Sequence, residues 1–240
     1  MSRFPFQRLQ SELAELIART PPGGRLPSEP ELAKLLGVSR ATLREAMRTF
    51  ETQGLIRRRQ GSGTYVVGRV SVFESGLEVL ESLETLARRM GLSLRVSDLV
   101  VERVFANQEL ADIFASPLAM PLTRVRRVMW TEERPVAYLV DMLPEEVLKA
   151  EQLPDDFGGS VLDFLLDRGD PLTVARAAIS AIGAPPDVAK ALQIQRGDVL
   201  LHFTSRLYDT SGRVVDYALS YFIPGYFHFH VVRRVVANSR

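Results

Sequence analysis

The chain has 240 residues, 46% of them hydrophobic and 25% charged, no cysteine, and a formal net charge of +1. That balance is ordinary for a folded globular protein. The missing cysteine excludes disulfides, thiol nucleophiles and thiolate metal sites, and fits a reducing, cytoplasmic setting. No apolar run approaches the roughly 20 residues of a membrane helix, and the charged start reads as no signal peptide.

The charge is unevenly spread. Residues 1–68 hold 11 Arg/Lys against 6 Asp/Glu, whereas residues 69–240 hold 19 against 23. A basic first part on an acidic second part favours a polyanionic partner for the first.

In chain order, Phe6, Leu9, Leu13, Leu16 and Ile17 have helical spacing up to Arg19, and Thr20-Pro21-Pro22-Gly23-Gly24 stops that helix. Ser28 is a good N-cap for a helix Glu29–Leu36, with Glu31 placed to reach back to it. Gly37 ends that helix and Ser39 caps the next, about Arg40–Gln53. There Leu43, Ala46, Met47 and Phe50 form the buried stripe. Arg40, Arg44 and Arg48 repeat every four residues on another face, spanning about 80° of arc at about 100° per residue. Two helices joined by a short glycine turn, the second carrying a basic stripe, fit a helix-turn-helix; a solvated arginine face on an ordinary helix is the plainer alternative. After Gly54, Leu55-Ile56 begins a strand, Arg57-Arg58-Arg59 follows, and Gln60-Gly61-Ser62-Gly63 turns into Thr64-Tyr65-Val66. That is a basic hairpin wing, suited to phosphate contact.

Gly68–Gly76 reads as a linker and Gly76–Met90 as a helix carrying Leu77, Leu80, Leu83, Leu86 and Ala87. Beyond Gly91, extended stretches are expected at 92–105, 122–130, 136–143, 172–182, 199–208 and 213–223. Short helices are expected at 108–115, 144–150, 160–168 and 186–192. Val215, Tyr217, Leu219, Tyr221 and Ile223 alternate, so one face of that strand is core. Asp209-Thr210-Ser211-Gly212 is the turn of a hairpin.

The string LPSE, ELA, GVSR, REA, GLI and GSGT, all in register over about 60 residues, resembles the winged helix-turn-helix of GntR-type bacterial regulators. The resemblance implies operator contacts at Ser39, Arg40, Thr42 and Arg44, with Arg48 nearby and the wing tip at Gln60, Gly61 and Thr64. One departure stands out. The family usually has arginine where this chain has Pro30, which sits comfortably in a first helical turn but removes a contact.

RRVMWTEERPVAYLVDMLP, SVLDFLLDRG and Gly197-Asp198-Val199-Leu200 with the hairpin after it resemble the UTRA ligand-binding domain of the HutC branch, which shares its fold with chorismate lyase. The implied architecture is α+β: a winged helix-turn-helix at 1–68, a linker at 69–80, and at 81–240 an α/β UTRA domain on an antiparallel sheet that binds an effector and dimerises. Matched one position at a time, the implied effector contacts are Arg127, Ser160, Asp216 and Phe222. Met129, Leu139 and Leu162 stand where the family often has an arginine, an acid and a tyrosine. Tyr138 joins the apolar lining, and Arg176 and Asp141 are further candidates. A site with one arginine and few polar groups suits a small ligand with one anionic end. Two plainer readings stay open: Arg127 pairing across the sheet, and Asp216 solvated, since it lies opposite the apolar alternation.

His228 and His230 share a strand face, but no third ligand accompanies them, so no metal is expected. No Cys/His pair, GxSxG elbow, HExxH or P-loop occurs, so no enzyme and no cofactor are expected; a shared fold does not transfer chemistry. The functional expectation is a homodimeric, operator-binding regulator, released from pseudo-palindromic duplex DNA by a small-molecule effector. An effector-dependent activator is the alternative within this class. A small-molecule binding protein without a DNA role is the alternative outside it.

Overall fold

The computed structural model describes residues 4–52, 54–59, 62–67, 73–132, 134–154 and 157–232. Two compact units emerge: Met1–Val72 with Pro224–His228, and Phe73–Ile223 with Phe229–Arg240.

The first unit, the head, contains α1 (Phe4–Arg19), α2 (Glu29–Leu35), α3 (Arg40–Thr52), β1 (Ile56–Arg59) and β2 (Gly63–Val66). Its core joins Leu9 and Leu13 of α1, Leu32 of α2, Leu43, Ala46 and Met47 of α3, and Ile56 and Val66 of the hairpin. These are the apolar stripes that the helical spacing marks out. Glu31 accepts from the Ser28 backbone N–H at 2.8 Å and from its hydroxyl at 2.7 Å, which fixes the start of α2. Pro30 sits in that first turn, where an absent N–H costs nothing. The hairpin gains a third strand-like partner: Leu26 N donates to Thr64 O, and Val66 N to Gly24 O, each at 2.8 Å.

The second unit begins with β3 (Phe73–Gly76), inside the stretch read as linker and helix. The expected helix Gly76–Met90 is shorter: α4 spans Leu83–Met90. Ser82 accepts from Thr85 N at 2.9 Å and sets its start. Leu77 and Leu80, which mimic helical spacing, stay exposed. Next come β4 (Arg95–Phe105), α5 (Gln108–Phe114), β5 (Pro121–Trp130) and β6 (Pro135–Pro144). The expected helix at 144–150 is absent: a turn follows β6 and leads to a single 3-10 turn at Ala150–Gln152. Then follow α6 (Val161–Arg168), β7 (Leu172–Gly183), α7 (Pro186–Ala191), β8 (Val199–Asp209) and β9 (Val214–Phe222); β10 (Phe227–His230) begins in the segment grouped with the head and ends in the second unit.

Six strands form one antiparallel sheet in the order β4-β5-β6-β9-β8-β7. Register decides which side chains share a face. Arg127 lies opposite Leu139, Asp141 opposite Ala218, and Leu207 opposite Asp216. Arg127, Asp141, Asp216 and Phe222 therefore share one face. On it, Val161 and Leu165 of α6 pack with Val125, Leu143 and Leu207. The other face carries Arg126, Tyr138, Tyr217, Tyr221 and Arg206; there Ala111 of α5 packs with Leu122. Every residue of β6 is buried, because both faces of this central strand are covered.

Asp209 closes the β8–β9 hairpin. Its carboxylate accepts from Ser211 N at 2.9 Å, the Ser211 hydroxyl at 2.6 Å and Arg213 N at 3.0 Å. The Ser211 hydroxyl first, then the two backbone N–H groups and the Arg213 guanidinium, hold it at about 2, below the ordinary 3.8. A depressed carboxyl stabilises the fold above its unfolded pKa, and that contribution is lost as pH falls. An NMR titration of Asp209 should therefore show a midpoint near 2; a midpoint at the ordinary value would refute the turn geometry.

Candidate functional site

In the head, α3 presents its polar face outward. Ser39 caps the helix, accepting from Thr42 N at 3.1 Å, and its hydroxyl meets that of Thr42 at 2.8 Å. Both side chains are exposed at the helix N-terminus, where backbone N–H groups favour an anion. Arg40 is exposed, with no ion pair among the described residues. Arg44 donates through Nε to Glu29 of α2 at 2.6 Å. That leaves the end-on Nη1 and Nη2 pair to outside acceptors. Arg48 pairs with Glu45 at 2.8 Å. On β1, Arg58 approaches the same Glu29 at 3.5 Å and Glu51 at 3.6 Å, and Arg59 lies over the Tyr65 ring.

Ser39, Arg40, Thr42, Arg44 and Arg48 thus occupy one helix. Gln60 and Gly61, expected at the wing tip, lie outside the described residues. Thr64 differs from its expectation as a DNA contact: it is buried at 6% exposure and its carbonyl is taken by Leu26. Strand alternation puts its side chain on the inward face of β2 with Val66, so it shapes the wing.

In the sheet domain a buried polar cluster faces α4 and α6. Arg127, 5% exposed, donates through Nη1 to Asp141, and its Nε stands 3.8 Å from Glu84 Oε1. Gly159, with φ +97°, lies where a Cβ would come within 3.0 Å of Arg127 Cδ, so only glycine lets this loop cover the arginine without strain. Asp216 is buried beside Asp141; burial first, then that neighbouring charge, pushes its carboxyl well above the usual range. Burial likewise raises Glu84. Asp163 of α6 accepts from the Ser82 hydroxyl at 2.6 Å and the Thr85 hydroxyl at 3.1 Å. Ser160 is the N-cap of α6, accepting from Asp163 N at 3.1 Å.

Among the sequence candidates, Arg127, Asp141, Asp216 and Ser160 are brought together. Asp216 is not solvated, and Arg127 does pair across the sheet. Three candidates do not join the cluster. Tyr138 lies on the opposite face, tilted against Tyr221 with ring centroids 6.1 Å apart. Arg176 is exposed on edge strand β7, opposite Arg206. Phe222 shares the face of Asp216 but lies about 20 Å further along the strand at about 3.4 Å per residue. It packs there against Phe203 at 5.3 Å and Phe229 at 5.1 Å. Glu84 is the residue that the sequence reading missed. Its signal is position: it stands three residues before buried Ala87, on the inward side of α4.

A winged helix-turn-helix with an exposed arginine face, followed by a sheet domain built around a buried polar cluster, defines a DNA-binding transcription regulator. The comparisons with known proteins agree. The family of bacterial regulatory proteins, gntR family, matches residues 6–66, and the UTRA domain matches residues 89–228. The histidine utilization repressor of Pseudomonas aeruginosa is 31% identical over 217 residues, 87% of this chain and 81% of that protein. The HTH-type transcriptional regulator Rv0792c of Mycobacterium tuberculosis is 31% identical over 89% of this chain and 79% of its own length. The crystal structure of PhnF from Mycobacterium smegmatis superposes with a TM-score of 0.65 at 22% identity, covering 95% of this chain and 100% of that one. The chain belongs to the GntR family of transcriptional regulators, in the HutC-like group that carries a UTRA domain.

Proposed function

We propose that this regulator is a repressor that a small molecule releases from its operator. The observation that carries the reading is the α3 face, where Ser39, Arg40, Thr42 and Arg44 stand exposed together at the start of one helix. Such a helix enters the major groove N-terminus first. Arg48 and the wing residues Gln60 and Gly61 add contacts beside it. Two copies, joined through their sheet domains, meet two half-sites about one helical turn apart on pseudo-palindromic duplex DNA in the cytoplasm. The buried cluster around Arg127 receives the effector. Binding there favours a dimer geometry whose heads no longer match both half-sites. The names of two relatives support the sign: the histidine utilization repressor, and the HTH-type transcriptional repressor NagR of Bacillus subtilis, 27% identical over 81% of this chain. No enzymatic role accompanies this one.

The test is a gel shift with the DNA upstream of the regulator's own gene, paired with a reporter driven by that DNA. A retarded band and a reporter that rises on deletion of the regulator are expected. A reporter that falls would make the protein an activator. Failure to bind any duplex at low salt would sink the reading altogether.

A further inference from the structure

We propose that the buried cluster of the sheet domain takes its small molecule by a cationic group: an ammonium, a guanidinium or an imidazolium. This rests on the effector reading above and reverses the anionic end that one arginine in the sequence suggested.

The reversal follows from how Arg127 is used. Among the described residues it is the one cation placed among Asp141, Asp216, Glu84 and Asp163, and its Nη1 is already held by Asp141. An anionic ligand would have to compete with that carboxylate for the guanidinium. Asp163 is satisfied by two hydroxyls. Glu84 and Asp216 are satisfied only in part. Both oxygens of Glu84 are buried without a donor at hydrogen-bond distance, Arg127 Nε standing 3.8 Å away, and Oδ1 of Asp216, a residue 7% exposed, also lacks one. A buried acceptor without a donor costs about 1–3 kcal/mol, more for a charged group, and native proteins keep few of them. Both carboxyls stand around Arg127, one from α4 and one from β9. A group with several N–H donors and a positive charge satisfies them together and balances the excess of carboxyls over the single guanidinium. Burial favours the neutral forms of Asp216 and Glu84 in the free protein, so a cation entering between them drives protons out.

The experiment is a thermal-shift series on the full chain with putrescine, agmatine and histamine, set against succinate and glycerol 3-phosphate. Wild type is compared with Glu84→Gln and Asp216→Asn, using whichever variant melts near wild type. At least one cation should raise Tm by several degrees, with the shift lost in the variant. Calorimetry in two buffers of different ionisation enthalpy should show proton release on binding. Stabilisation by the anions alone, an equal shift in the variants, or no shift from any cation would overturn the proposal. A cation that binds without changing operator affinity in a gel shift would refute release and leave this inference standing. Absence of operator binding would refute the repressor reading while the thermal shifts still decide this one.

Discussion

Replacing Arg127 by alanine is expected to destabilise the sheet domain by about 3–5 kcal/mol, the usual cost of stripping one partner from a buried ion pair. The change leaves Asp141, Asp216 and Glu84 facing one another without the guanidinium that now stands among them. Urea melts followed by Trp130, the single tryptophan, report directly on the strand that carries Arg127. The pH dependence supplies a second check. Burial already holds the folded-state pKa of Asp216 and Glu84 above the ordinary value, and loss of the Arg127 charge raises both further. The penalty is then absent below that value and grows as pH rises. Melts at acidic pH should narrow the gap between variant and wild type, and melts at neutral pH should widen it. The double variant Arg127→Met/Asp141→Leu should recover much of the loss, since an apolar pair of similar size avoids the desolvation cost. A single-variant loss under about 1 kcal/mol at neutral pH would show that the pair is not a buried structural link.

Arg44→Ala is expected to weaken operator binding by about 1–3 kcal/mol, roughly 5- to 150-fold, if the arginine reads a base edge bidentately. Lysine should not rescue it, because a point charge lacks the planar fork. Gel shifts at one fixed salt concentration, on operator and on unrelated duplex, separate base reading from phosphate contact. Loss on the operator alone supports base reading. Equal loss on both would reassign Arg44 to the backbone, and unchanged affinity would remove it from the interface.

The head was legible because its signals are local. Ser28 with Glu31, Ser39 with Thr42, and the Leu43–Ala46–Met47–Phe50 stripe each act within a turn or two of their own helix. The sheet domain was legible as strands but not as faces. Whether Tyr138 stands beside Arg127 depends on the β5–β6 register, where Arg127 pairs with Leu139. Because side chains alternate, the neighbour of a partner residue points the other way. Arg176 fails for the same reason at longer range, through β8. Leu77 and Leu80 imitate helical spacing, yet the Ser82 cap decides where α4 starts. Glu84 was hidden by that misplaced start. One arginine in the sequence suggests an anionic ligand; the carboxyls packed around it, on which the cationic proposal rests, are placed only by the fold.

Glu29 carries a consequence for the head. It reaches Arg44 on the helix and Arg58 on the wing strand together. Arginine is among the side chains that give up most rotamer freedom on being fixed, about 1.5–2 kcal/mol each. Here much of that freedom is surrendered in the free protein, so less remains to be lost when DNA arrives. The helix and the wing strand are therefore expected to meet a duplex as one prearranged surface.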